Sequence, residues 1–110
     1  DTIATEEHLE FTLPSGAKMQ GHLDRVCNNE GLEIRDYKIS KLFTRNNIKE
    51  KARQLYVYAY GYHQKHGVYP ERLVFEFFQD WKKPYIVKFD KKEMESVIQW
   101  VEDRILFLSR

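Results

Sequence analysis

Three successive stretches of alternating or extended character, broken only by short turn signals, fill the first third of the chain and constrain the fold more than anything after them. From 7 to 13, Leu9, Phe11 and Leu13 alternate with His8, Glu10 and Thr12. That is the period of a half-buried strand. Pro14-Ser15-Gly16 turns the chain, a second strand is predicted from about Ala17 to Val26, and Asn28-Asn29-Glu30-Gly31 forms the next turn. A third strand covers Leu32 to Lys38. Strands joined by such short turns predict an antiparallel meander.

The period then changes. Asn47 and Glu50 form a plausible cap pair, and Ile48, Ala52, Leu55, Ala59 and Tyr62 recur at helical spacing. Gly67 and Pro70 end this helix near His66. The apolar, aromatic run from Arg72 to Phe78 reads as a buried strand, Gln79 to Lys83 as a turn, and Pro84 to Phe89 as a further strand. Asp90 with Glu93 caps a final helix, in which Met94, Val97, Ile98, Val101, Ile105 and Leu108 make one core-facing stripe. The predicted order is βββαββα: an α+β (mixed α/β) fold, in one domain over residues 1–110.

Composition narrows the class. With 110 residues, 42% hydrophobic and 32% charged, the chain suits one globular domain with a modest core. No apolar run approaches the roughly 20 residues of a membrane span. Cys27 is the only cysteine, which excludes a disulfide framework and a cysteine-rich metal site in this segment. An intracellular, cytoplasmic location is expected, with no membrane partner. Because the chain starts at Asp1 and enters a strand almost at once, it is expected to be a fragment of a longer protein. Net charge is +1, but its distribution is uneven. Arg35, Lys38, Lys41, Arg45, Lys49, Lys51, Arg53 and Lys65 face only Asp36 and Glu50, leaving that segment at +6 and the remainder at −5. A basic stripe suits a polyanionic substrate, and equally a solvated helix face.

The polar residues on the strands are the chemically informative ones. In the third strand Leu32, Ile34, Asp36 and Lys38 share a face by alternation. An acid and a lysine ending an apolar face must pair with or bind something. In the second strand Gln20, His22, Asp24 and Val26 are expected to share a face, and Gly21 lets a neighbour approach closely. Paired strands would bring Asp24 and Asp36 within reach of one ion. Phosphodiester hydrolysis needs a nucleophilic water and relief of charge on the phosphate. Hard cations such as Mg²⁺ or Mn²⁺ favour carboxylate, water and phosphate oxygens. An ammonium group such as Lys38 can stabilise the developing charge. A plain ion pair at a strand end explains the same residues equally well.

Gly21-x-x-Asp24-Arg25, then Asp36-Tyr37-Lys38, then Gln54-x-x-x-Tyr58 resembles the PD-(D/E)XK nuclease superfamily. Its RecB-type exonuclease domains, found in helicase–nucleases and CRISPR-associated exonucleases, are the branch most similar in motif. The resemblance spans about residues 7–109. It implies a restriction-endonuclease-like core, a central mixed sheet flanked by helices, with the family's N-terminal helix missing. It implies Asp24, Asp36 and Lys38 as catalytic residues. Asp24, Asp36 and the Tyr37 backbone carbonyl would bind Mg²⁺ or Mn²⁺, with Gln54 and Tyr58 contacting DNA. Lys41, Arg45, Lys49 and Arg53 of the basic stripe join them as expected nucleic-acid-binding residues. The function implied is a metal-dependent DNA nuclease, exonuclease in type, acting in DNA repair or recombination, with helicase or other domains of a parent protein as partners. No iron–sulfur cluster is expected in this segment. The family's usual Thr-Gly after the lysine strand is Ile39-Ser40 here. Its upstream ligand-bearing helix has no counterpart, and Glu7, His8 and Glu10 are the only upstream ligand candidates. The alternatives are an inactive nuclease fold that binds nucleic acid or a protein partner, and an unrelated α+β interaction domain.

Overall fold

Alternating runs became strands and helical-period runs became helices. The computed structural model describes residues 2–28, 30–38, 45–77 and 84–108, with side chains except at 2–5, 37, 38, 45–49, 77, 107 and 108. The elements are β1 (Thr2–Thr12), β2 (Lys18–Asn28), β3 (Leu32–Lys38), α1 (Arg45–His66), β4 (Arg72–Phe77), β5 (Tyr85–Lys88) and α2 (Lys91–Leu108). This is the expected βββαββα order in a mixed α+β fold. The segment expected to turn at Gln79–Lys83 lies outside the described residues.

The five strands form one sheet in the order β1-β2-β3-β4-β5. Its first three strands are the expected antiparallel meander. β4 then pairs parallel to β3 in a continuous register from Glu33↔Arg72 to Lys38↔Phe77. Parallel neighbours need a crossover, and α1 supplies it. β5 closes the far edge antiparallel to β4.

α1 lies across one face of the sheet, and α2 packs against α1. Their core unites Leu9, Phe11, Leu23, Val26 and Ile34 with Leu55, Ala59 and Tyr62 of α1 and Met94, Val97 and Ile98 of α2. Gly61 of α1 is the point of closest approach to β1. A Cβ there would stand 2.5 Å from Phe11 Cδ1, so only glycine lets the ring meet the helix backbone. The start of α2 is capped as its sequence predicts: the Lys92 amide donates to Asp90 Oδ1 at 2.9 Å. The start of α1 differs. Its first residue is Arg45, so Asn47 and Glu50 lie inside the helix and not at its cap. No helix among the described residues is long and apolar enough to cross a membrane.

The opposite face of the sheet is charged. Glu33 is 4% exposed there. It accepts from Arg35 Nη2 at 2.7 Å and from Arg72 Nε at 2.7 Å, and Arg35 also pairs with Glu76. Burial alone would raise the Glu33 pKa, but the hydrogen bonds from Arg72 and Arg35 outweigh it and hold the carboxyl below its ordinary value. A depressed folded pKa stabilises the fold above the unfolded carboxylate value and loses that contribution as pH falls through the folded one. Glu33→Gln should therefore lower stability at neutral pH by about 3 kcal/mol. It should also flatten the loss of stability below about pH 4. Urea unfolding across an acid pH series checks both.

Candidate active site at the fork of the sheet

The ladder between β2 and β3 is short. It runs from Asn28↔Leu32 to Arg25↔Arg35 and stops. Beyond that point β2 stays with β1 back to Lys18, while β3 stays with β4 out to Lys38. The sheet forks, and the next residue on each arm is an aspartate: Asp24 on β2 and Asp36 on β3. They are the first residue on each strand beyond the last β2–β3 pair.

On β3 the alternation is regular. Ile34 is fully buried in the core under the helices, and Asp36 follows it on the same face, paired to the fully buried Phe75. The Asp36 Oδ2 atom is itself buried. Tyr37 and Lys38 hold the last two register positions of β3, opposite Glu76 and Phe77. Lys38 thus follows Asp36 by two residues on the arm that borders the fork.

On β2 the alternation breaks, which corrects the expected face. Leu23 and Val26 both belong to the core. They are three residues apart, so a regular strand would place them on opposite faces. The switch falls at Asp24–Arg25, opposite Glu6, whose φ of 57° lies in the left-handed region. As a result Gln20 and His22 do not share a face with Val26. Both are exposed, and His22 Nε2 lies 3.4 Å from His8 Nδ1 across the strand pair. The upstream candidates are also engaged elsewhere. His8 contacts Glu10 at 3.4 Å, and Glu7 is held by His66 at 2.5 Å and Lys65 at 3.3 Å. Among the described residues no group of three His, Cys, Asp or Glu side chains converges on a metal-sized site.

Gln54 and Tyr58 lie beside the fork. A Cβ on Gly21 would stand 2.4 Å from Tyr58 Cε1, so the ring rests directly on the glycine backbone. Gln54 Nε2 donates to the Tyr58 hydroxyl at 3.0 Å, one helical turn away. The neighbour that Gly21 admits is therefore the tyrosine of α1, three residues before Asp24 on β2. The pairing joins two of the three sequence signals physically.

The basic stripe is less uniform than its charge count. Arg35 is bound on the far face of the sheet, and Lys65 donates to the His8 carbonyl and pairs with Glu7. Lys41, like Ile39-Ser40, lies outside the described residues. Arg45 and Lys49 fall in the first turns of α1. Arg53 lies with its guanidinium 4.4 Å from the centre of the Trp100 ring of α2. Sequence reasoning missed Trp100 and its second cation, Arg104. The available signal was an aromatic residue off the apolar stripe of α2.

The sequence profile of the PD-(D/E)XK nuclease superfamily matches residues 1–109. No curated protein matches the chain. Among solved structures, the crystal structure of SSO0001 aligns with 94% of this chain at a TM-score of 0.62 and 19% identity. At that identity the likeness is one of fold. The chain spans 50% of the length of that structure.

The Gly21–Tyr58 contact makes a direct prediction. Gly21→Ala forces a methyl into the ring and should cost about 1–3 kcal/mol. In a Tyr58→Ala background the same change should be close to neutral. A double-mutant cycle measured by denaturant unfolding checks the coupling.

Proposed function

The chain belongs to the PD-(D/E)XK nuclease superfamily, and from that membership we propose that it is a metal-dependent deoxyribonuclease domain of the RecB exonuclease type. Residues 1–110 form the nuclease unit of a larger intracellular DNA-processing protein. The observation that supports this reading is the fork: two aspartates on neighbouring strands, at the point where the sheet opens, beside a helix that carries Gln54 and Tyr58.

The donor set suits a hard cation. Two carboxylates and the Tyr37 carbonyl would supply oxygen donors, the type that Mg²⁺ or Mn²⁺ prefers. Bound there, the ion supplies charge relief at the phosphate and a more acidic water. Asp24 and Asp36 are the residues that would hold it. Lys38, two residues on from Asp36 along the same strand, is the residue that would oppose the charge building on the scissile phosphate. Gln54 and Tyr58 border the opening and position the strand. The cations at Lys41, Arg45 and Lys49 draw the polyanion in without reading its sequence.

Two outcomes test the reading in the protein that contains this chain. Asp36→Asn should abolish cleavage while leaving the thermal midpoint close to that of the parent. Full activity in that variant removes the ligand assignment. Lys38→Ala should lower single-turnover kcat by about 10²–10³ with little change in KM, because charge stabilisation made only in the transition state appears in kcat. A fold that binds Mn²⁺ in calorimetry but cleaves nothing would point to the inactive alternative.

A further inference from the structure

Trp100 is 39% exposed, off the apolar stripe of α2, and two guanidinium groups lie over its ring: Arg53 of α1 at 4.4 Å and Arg104 of α2 at 4.7 Å. Both distances fall within cation–π range. Two cations on one ring repel each other, and neither pairs with a carboxylate among the described residues. A guanidinium held by its flat face keeps its N–H donors free around the rim, in the plane that matches phosphate oxygens. Trp100 thus holds two cations against one ring, and no carboxylate among the described residues takes up their donors.

The three residues line a groove of about 620 Å³ between α1 and α2, which also includes Lys51, Gln54 and one acid, Glu50. Cations outnumber the acid, so the groove is complementary to a polyanion. It is also continuous with the fork. Gln54 lines the groove and donates to Tyr58, whose ring lies on Gly21 of β2. A strand leaving the Asp24–Asp36 opening past Gln54 would reach Arg53 next.

We propose that this groove is a phosphate clamp for a single-stranded segment of the DNA substrate, with Arg53 and Arg104 as its cations and Trp100 as the surface that holds them. The proposal rests on the nuclease reading above. It adds a binding surface on α2, away from the cleavage residues. The clamp contacts backbone and not bases, so it carries no sequence preference.

The test is fluorescence anisotropy of a labelled single-stranded oligo(dT) in EDTA, where nothing is cleaved. The Arg53→Gln/Arg104→Gln variant should bind about tenfold more weakly at low salt. Its dependence of log K on log salt should flatten by about 0.7 for each arginine removed. Trp100→Leu keeps both charges but frees them, and should weaken binding about fivefold while the salt slope stays near that of the parent. Arg104→Lys keeps the charge without the planar fork and guards against misfolding of the double variant. It should retain the slope and lose affinity. Unchanged affinity and slope in the double variant overturn the clamp. Parent-like affinity in Trp100→Leu and Arg104→Lys overturns the stacked geometry. Loss of cleavage in Asp36→Asn is read separately, so failure of the clamp and failure of the nuclease reading remain distinct.

Discussion

The contact of the Tyr58 ring with the backbone of Gly21 sets where α1 lies across the sheet. Together with Phe11 against Gly61, it makes two places where glycine alone permits the approach. One glycine is on the strand and the other on the helix, so each element yields once. A helix pinned at two such points has little freedom to slide. Its face carrying Gln54 and Tyr58 is therefore held beside the β2 arm of the fork. The helix also serves as the crossover that makes β3 and β4 parallel. The same contacts that close the core thus decide which residues border the opening.

The central strand β3 is charged on both faces, for different reasons. On the helix-free face Glu33 is buried but satisfied by two arginines. That network is self-contained, and removing one partner leaves a buried charge. On the helix face Asp36 interrupts an apolar row between Ile34 and the end of the strand. Neutral hydrophobic residues there would pack better against Phe75, whereas an acid brings a desolvation cost. Asp36 meets a partner of its own there, which offsets part of that cost. At the same level the β2–β3 ladder ends, so the two strands are no longer joined by it.

Much of this was legible in the sequence, and the exceptions are physical. The β3 faces follow from simple alternation because that strand is regular. The parallel β3–β4 pair follows from a helix lying between two strands. The β2 faces were misread because a single irregular step at Asp24–Arg25, matched by the left-handed Glu6, reverses the parity. Nothing in a short polar stretch announces such a step. The helix start differs because Asn47 and Glu50 have the spacing of a cap pair while Arg45 and Asn46 before them are already helical. Charge counting merged Arg35 and Lys65 with the stripe, although tertiary pairing assigns both to other carboxylates. Trp100 was overlooked because a search for apolar periodicity discards residues that fall off the stripe.

Arg53 sits two turns along α1 from Arg45, so a stripe at spacing of four residues points down one side of the helix. The structure ends that side at Trp100, where a residue of α2 turns the last cation of the stripe and adds one of its own. The charge on α1 is therefore not merely solvated along its length. At its far end it is fixed in direction by an aromatic ring, which limits the rotamer freedom of a long side chain and so lowers the entropy lost on meeting an anion.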